Sequence, residues 1–333
     1  MLGVLAVSSS PRIDRRGSGW VRSFMLRRLL LGLLILLVLL IAGPPLWFAV
    51  SPVATPDLPP AGRSVEVRPG VKVNVLEEGS GPAVVLVHGH PGSAYEWAPL
   101  MHALAARGMR AIAYDRVGYG RSDARADDDY SVAANADDLI GLLDAEQLND
   151  AVVVGWSYGG GTAIAAAQKD PSRMDRLVLI GSVGPGIEKR DAPPAWVEAV
   201  LRGPVMSWLA MVPPLGRAVQ AAMSGVAFSP EPVDAGYLEL LKGNFAQPGT
   251  RDTFRAEGGD LDGRASVDPA GIDRPILVVH GERDQLVPVA VGQALHDHAR
   301  GGELWLVPDA GHMLPITRPD ALADRIAAFA GGQ

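Results

Sequence analysis

The chain contains no cysteine. That excludes disulfides, thiolate metal sites and cysteine nucleophiles, but leaves the compartment open. Beyond the first segment basic residues are outnumbered by acidic ones. Up to Thr55 the charged residues are Arg12, Arg15, Arg16, Arg22, Arg27 and Arg28 against Asp14, about +5. With a formal total of -7, the remainder carries about -12. An acidic body argues against nucleic acid as a partner. No repeat of fixed period is found. At 333 residues the chain is long enough for one large domain with appendages.

What is present begins with one long apolar run. From Leu29 to Pro56 no charged residue occurs, and residues 29–41 are almost purely aliphatic, broken only by Gly32. Counted on to Val50, the stretch is near the ~20 residues that span a bilayer. Arg27 and Arg28 stand at its start, and no basic residue follows until Arg63. The positive-inside rule therefore puts the N-terminus in the cytoplasm and the rest outside, with Trp47 and Phe48 as interfacial anchors. The preferred reading is a signal anchor. A cleaved signal peptide, with secretion, is the second; Ala49-Val50-Ser51 is a conceivable site, although the apolar core is long for it. A buried helix of a soluble domain fits least, because the run is apolar on every face. Met25 is an alternative start that keeps the run intact. Residues 1–23 read as a disordered cytoplasmic tail, 24–50 as the transmembrane segment, and 51–62, with Pro52, Pro56, Pro59 and Pro60, as a stiff linker.

The domain begins near Arg63. Residues 64–68 and 71–77 alternate apolar and polar around Pro69-Gly70, which predicts a hairpin. Continuous apolar runs at 83–87, 110–114, 151–154, 177–180, 275–279 and 303–307 predict buried strands. Helical patterns at 94–107, 131–147, 160–169 and 320–330 fall between or after them. This alternation predicts a parallel α/β sheet. From about 186 to 262 the alternation stops and Pro, Trp, Met and Phe residues recur instead.

Gly155-Trp156-Ser157-Tyr158-Gly159 lies between a predicted strand and a helix. This is the nucleophile-elbow pattern, in which a strained turn projects the serine hydroxyl and glycines relieve close backbone approaches. His88-Gly89-His90-Pro91-Gly92 follows the strand at 83–87. Asp115-Arg116-Val117-Gly118-Tyr119-Gly120-Arg121-Ser122 follows the strand at 110–114; it lacks phosphate-loop spacing and is read as structural. His280-Gly281-Glu282-Arg283-Asp284 follows the strand at 275–279, and Gly311-His312 follows the last strand.

Together these motifs resemble the α/β-hydrolase family over about residues 71–329. The resemblance implies a mostly parallel eight-stranded sheet flanked by helices, the core being 63–185 and 263–333 and a helical cap occupying 186–262. It implies Ser157 as nucleophile, Asp284 as acid and His312 as base, in the chain order of the fold. Glu282 and Asp309 are weaker candidates for the acid. The amides of His90 and Tyr158 would form the oxyanion hole, with His88 propping the turn. No metal or organic cofactor is called for. The implied partner is a small apolar acyl substrate, held under the cap's aromatics and methionines; the oligomeric state is not legible. Dehalogenases and most epoxide hydrolases of the family carry aspartate at the elbow, so Ser157 favours acyl chemistry. A carboxylic ester hydrolase is the expectation. C–C bond, lactone and amide hydrolysis are alternatives within the fold, and a non-catalytic binding protein is the alternative of another class.

Overall fold

The computed structural model describes residues 31–32, 58–125, 129–185, 225–232, 234–247, 249–259, 263 and 266–332. Eight strands make one sheet: β1 (Arg63–Arg68), β2 (Val71–Glu78), β3 (Ala83–Val87), β4 (Arg110–Tyr114), β5 (Ala151–Trp156), β6 (Met174–Ile180), β7 (Ile276–Gly281) and β8 (Glu303–Val307). Their order is β1-β2-β4-β3-β5-β6-β7-β8. The β1–β2 hairpin is antiparallel, as is β2 against β4, and every pairing from β4 to β8 is parallel. The alternation of residues 64–77 thus marks the sheet edge, and the unbroken apolar runs mark strands covered on both faces.

Those two faces are distinguishable along a single strand. In β3, Val85 and Val87 enter one apolar layer while Val84 and Leu86 enter the other. In β7, Ile276 and Val278 part from Leu277 and Val279 in the same way. This is the period of two expected when successive side chains leave a strand on opposite sides. The first layer is closed by α2 (Val132–Ala145), α3 (Tyr158–Lys169) and α6 (Val289–His298). The second is closed by α1 (Ala98–Ala105), α7 (Leu314–Thr317) and α8 (Pro319–Ala330). Deleting a side chain such as Leu100 or Leu139, both fully buried, would cost about 2–5 kcal/mol.

The expected helix at 94–107 is divided. Ala94–Trp97 is a 3-10 turn and α1 starts only at Ala98. Pro99 has no amide hydrogen to bond back to Tyr95, so the α-helical ladder cannot run through from upstream. Ser131 caps α2, its side chain accepting from the Ala134 amide at 3.2 Å.

Of the expected cap, the described part includes α4 (Ala235–Ala246), capped by Asp234 at the Tyr237 amide, and α5 (Thr250–Gly259). Phe228 and Tyr237 pack edge-to-face, ring centres 5.3 Å apart, in the second apolar layer. The remainder of 186–262 lies outside the described residues. So do the expected tail, membrane segment and linker, apart from Leu31, Gly32 and residues 58–62. Among the described residues no helix is long and apolar enough to cross a membrane.

Candidate active site

The turn between β5 and α3 holds Ser157 at φ 56°, ψ -119°. A non-glycine residue with positive φ costs roughly 1–3 kcal/mol and persists only where its surroundings impose it. Here they do. The Ser157 amide donates to Ile180 O at 2.9 Å, and its carbonyl accepts from the Gly160 and Val183 amides. A Cβ on Gly155 would strike the backbone of Gly159 and Gly160, and one on Gly159 would strike the carbonyls of Val87 and His88. Both elbow glycines are therefore required by close backbone approach. Trp156 and Tyr158 are buried, while Ser157 between them retains partial access to solvent.

Asp284 and His312 meet at the same edge of the sheet. His312 Nδ1 lies 2.7 Å from Asp284 Oδ2. The other carboxylate oxygen accepts from the amides of Leu286 (2.8 Å) and Val287 (2.9 Å). Burial pushes the Asp284 carboxyl up, but the hydrogen bonds and charge of His312 and the Val287 amide outweigh it, and the group titrates below its ordinary value. An ionised carboxylate can only accept, so Nδ1 carries the proton. Trp156 Nε1 donates to the His312 carbonyl at 3.0 Å, bracing the histidine against the elbow strand. Glu282 and Asp309, the other acids considered, are both exposed, and Asp309 pairs with Arg283. Of the three, Asp284 reaches the ring.

Ser157 is brought to this pair by β6. Its amide bonds Ile180 O, and a methyl placed on the next residue, Gly181, would stand 3.2 Å from both Asp284 Oδ2 and His312 Nδ1. No hydrogen bond joins the Ser157 hydroxyl to the His312 ring among the described residues. In substrate-free sites such bonds are often long and close only when substrate binds.

The turn after β3 approaches from the other side. A Cβ on Gly89 would lie 3.1 Å from Ser157 Cβ. His88 is fully buried; its Nε2 accepts from the Arg116 amide at 2.9 Å, so its Nδ1–H donates to Gly89 O. Burial and the adjacent Arg116 hold it neutral, well below its ordinary pKa. His88 thus props the turn, as expected. The His90 side chain, assigned no task from sequence, is not idle. Its ring stacks on Phe254 of α5, centres 4.7 Å apart and nearly parallel, and its Nδ1 lies 2.8 Å from Glu257 Oε2.

Glu257 is the main feature that sequence reasoning missed. It sits on α5, is fully buried, and forms a forked ion pair with Arg116, itself 1 % exposed. Tyr119 Oη donates to the same carboxylate at 2.8 Å. Burial opposes its charge, but Arg116 and His90 overcome that and hold its pKa far below the ordinary range. Arg116 also lies over the Tyr158 ring, 4.7 Å from its centre. The Arg116 loop carried a motif but no ion-pair signal, and nothing local distinguishes Glu257 within α5.

A strained serine at a strand–helix turn beside a His–Asp pair, on the edge of an eight-stranded mostly parallel sheet, defines a class: the α/β hydrolases. Residues 82–319 match the family model described as alpha/beta hydrolase fold, and the chain belongs to that family. It is 30 % identical over 288 residues to 2-hydroxymuconate semialdehyde hydrolase of Pseudomonas sp. (strain CF600), covering 83 % of this chain and 96 % of that one. Over 106 residues, 32 % of each chain, it is 47 % identical to an epoxide hydrolase of Caballeronia sordidicola. Among solved structures, a meta-cleavage product hydrolase from Pseudomonas fluorescens IP01 superposes with a TM-score of 0.65 at 26 % identity, covering 82 % of this chain and 98 % of that one. Fold and relatives make the protein a hydrolase.

Proposed function

We propose that the protein is a serine hydrolase that cleaves a carboxylic ester through an acyl-enzyme on Ser157. The observation that carries this reading is the His312–Asp284 hydrogen bond set beside the elbow serine. With the Nδ1–H of His312 donating its hydrogen bond to the ionised Asp284, Nε2 is left as the basic nitrogen, the one able to take the serine proton. Ser157 then attacks the carbonyl carbon, and the carbonyl electrons move to oxygen. The amides of His90 and Tyr158 receive that oxyanion; losing one such donor costs about 2.7–4 kcal/mol of barrier. His312 returns its proton to the leaving group, and a water activated the same way releases the acid. Opening an epoxide on Ser157 would leave an ether that this machinery does not hydrolyse, so the epoxide-hydrolase likeness is taken as one of scaffold.

A second reading is supported by the near full-length likeness to a semialdehyde hydrolase: hydrolysis of a C–C bond beside a ketone, with the same residues in the same roles. Turnover of aryl ester, lactone, amide and vinylogous diketone panels by the wild type and Ser157→Ala separates these. Ester turnover that disappears in Ser157→Ala is the expected result. Diketone cleavage without ester turnover moves the assignment to the second reading. A folded protein that turns over none and leaves a fluorophosphonate probe unbound at Ser157 would be a binding module.

A further inference from the structure

The Gly89–His90 peptide has a carbonyl on one side and, on the other, the amide assigned to the oxyanion. Because the unit is planar with its C=O and N–H opposed, fixing one end fixes the other. The carbonyl end is gripped: Arg116 Nη2 donates to Gly89 O at 2.9 Å, and Nε donates to His88 O at 3.1 Å. The guanidinium is in turn held from the cap, where Glu257 accepts from both terminal nitrogens. Glu257 also lies within hydrogen-bond reach of the ring of His90 itself. The loop beyond Arg116 is tied to the cap too: Gly120 N donates to Asn244 Oδ1, and Asn244 Nδ2 donates to Gly92 O.

We propose that Arg116 and Glu257 are a positioning pair that orients the Gly89–His90 peptide, so that the oxyanion donor is in place only while α5 is docked. The inference rests on the acyl-transfer reading above. Arg116 pulls on the carbonyl, which polarises the peptide and strengthens its N–H as a donor. Glu257 keeps the guanidinium in register; without it Arg116 is a buried cation with no counter-charge and must move. Lysine cannot replace the arginine, because a point charge cannot span two carbonyls and a carboxylate at once.

The test uses the full-length chain with an aryl ester and an aryl trifluoromethyl ketone, whose adduct with serine carries the oxyanion. In Glu257→Gln and Arg116→Lys, kcat is expected to fall about 10- to 100-fold, less than the ~10²–10³ for deleting a donor outright. KM should stay within about threefold, and the ketone should weaken in step with kcat/KM. Hydrogen exchange at residues 88–92 should quicken while the central strands keep their protection. Should Glu257→Gln fail to fold, the apolar pair Arg116→Met/Glu257→Met, in which no charge is left stranded, is expected to fold and to remain slow. A folded variant with wild-type kcat, or one that changes KM alone, overturns the proposal. Ser157→Ala separates the two layers: turnover surviving there defeats the serine reading, whereas unchanged exchange at 88–92 in Glu257→Gln defeats the positioning pair whatever the substrate.

Discussion

Glu96 is a carboxylic acid buried under the turn that follows β3, 2 % exposed, with Oε2 lacking a hydrogen-bond partner among the described residues. A methyl on Gly92 would come within 2.9 Å of that oxygen. Burial drives its pKa up; the Ser93 backbone pulls back, Asp115 pushes further, Arg116 pulls back, and the result is about 8 against 4.5. In the unfolded chain the group ionises near the lower value. Between the two values the folded state therefore holds one more proton than the unfolded state. Stability falls with rising pH across that window by ~1.4 kcal/mol per pH unit. From about pH 5 to about pH 7 the loss attributable to Glu96 is on the order of 2–3 kcal/mol, and it levels off above the folded value. Glutamine has nearly the same shape and does not titrate. Urea unfolding of the wild type and Glu96→Gln should show the variant gaining on the wild type by about that amount between the two pH values. A stability difference that is the same at both would refute the neutral, buried acid.

Asp284→Asn should keep the ring's neighbour in place yet favour the wrong imidazole tautomer, lowering kcat by about 10³–10⁴-fold with a smaller change in KM; loss of less than about tenfold in steady-state assays would remove Asp284 from its assigned role. We propose that the apolar run at residues 29–50 tethers the domain to a membrane from its outer side. A chain beginning at Ala61 should then be soluble and keep the full-length kcat/KM, and accessibility of the full-length domain to added protease in spheroplasts would read its side; loss of activity on that truncation, with the fold intact, would mean the segment serves the site directly.

Much of this molecule was legible along the chain. Each strand run is local: an apolar stretch rich in β-branched residues reads as a strand covered on both faces, and its alternation with helical patterns points to a parallel sheet, so 83–87, 151–154 and 275–279 announced their elements. The elbow was legible too, because a serine between glycines after a strand is a recognisable local pattern, although part of what demands it is distant: Gly159 is required by the carbonyls of Val87 and His88, and Ser157 is held by Ile180 and Val183. The motifs around Ser157, Asp284 and His312, through their resemblance to the family and in its chain order, nominated those three residues, with Glu282 and Asp309 as weaker candidates for the acid. Choosing among Glu282, Asp284 and Asp309 took the fold, since all three follow strands and only geometry brings one carboxylate to His312 Nδ1 at 2.7 Å. The insertion of β4 between β2 and β3 is equally non-local. The same holds for the Arg116–Glu257 pair under the turn that follows β3. Arg116 and Glu257 are 141 residues apart, and neither belongs to a pattern of period two or 3.6. Residue type and spacing set which backbone shapes are affordable; which charges end up sharing one buried site, and how far their pKa values move, depends on desolvation by neighbours that only the tertiary structure supplies.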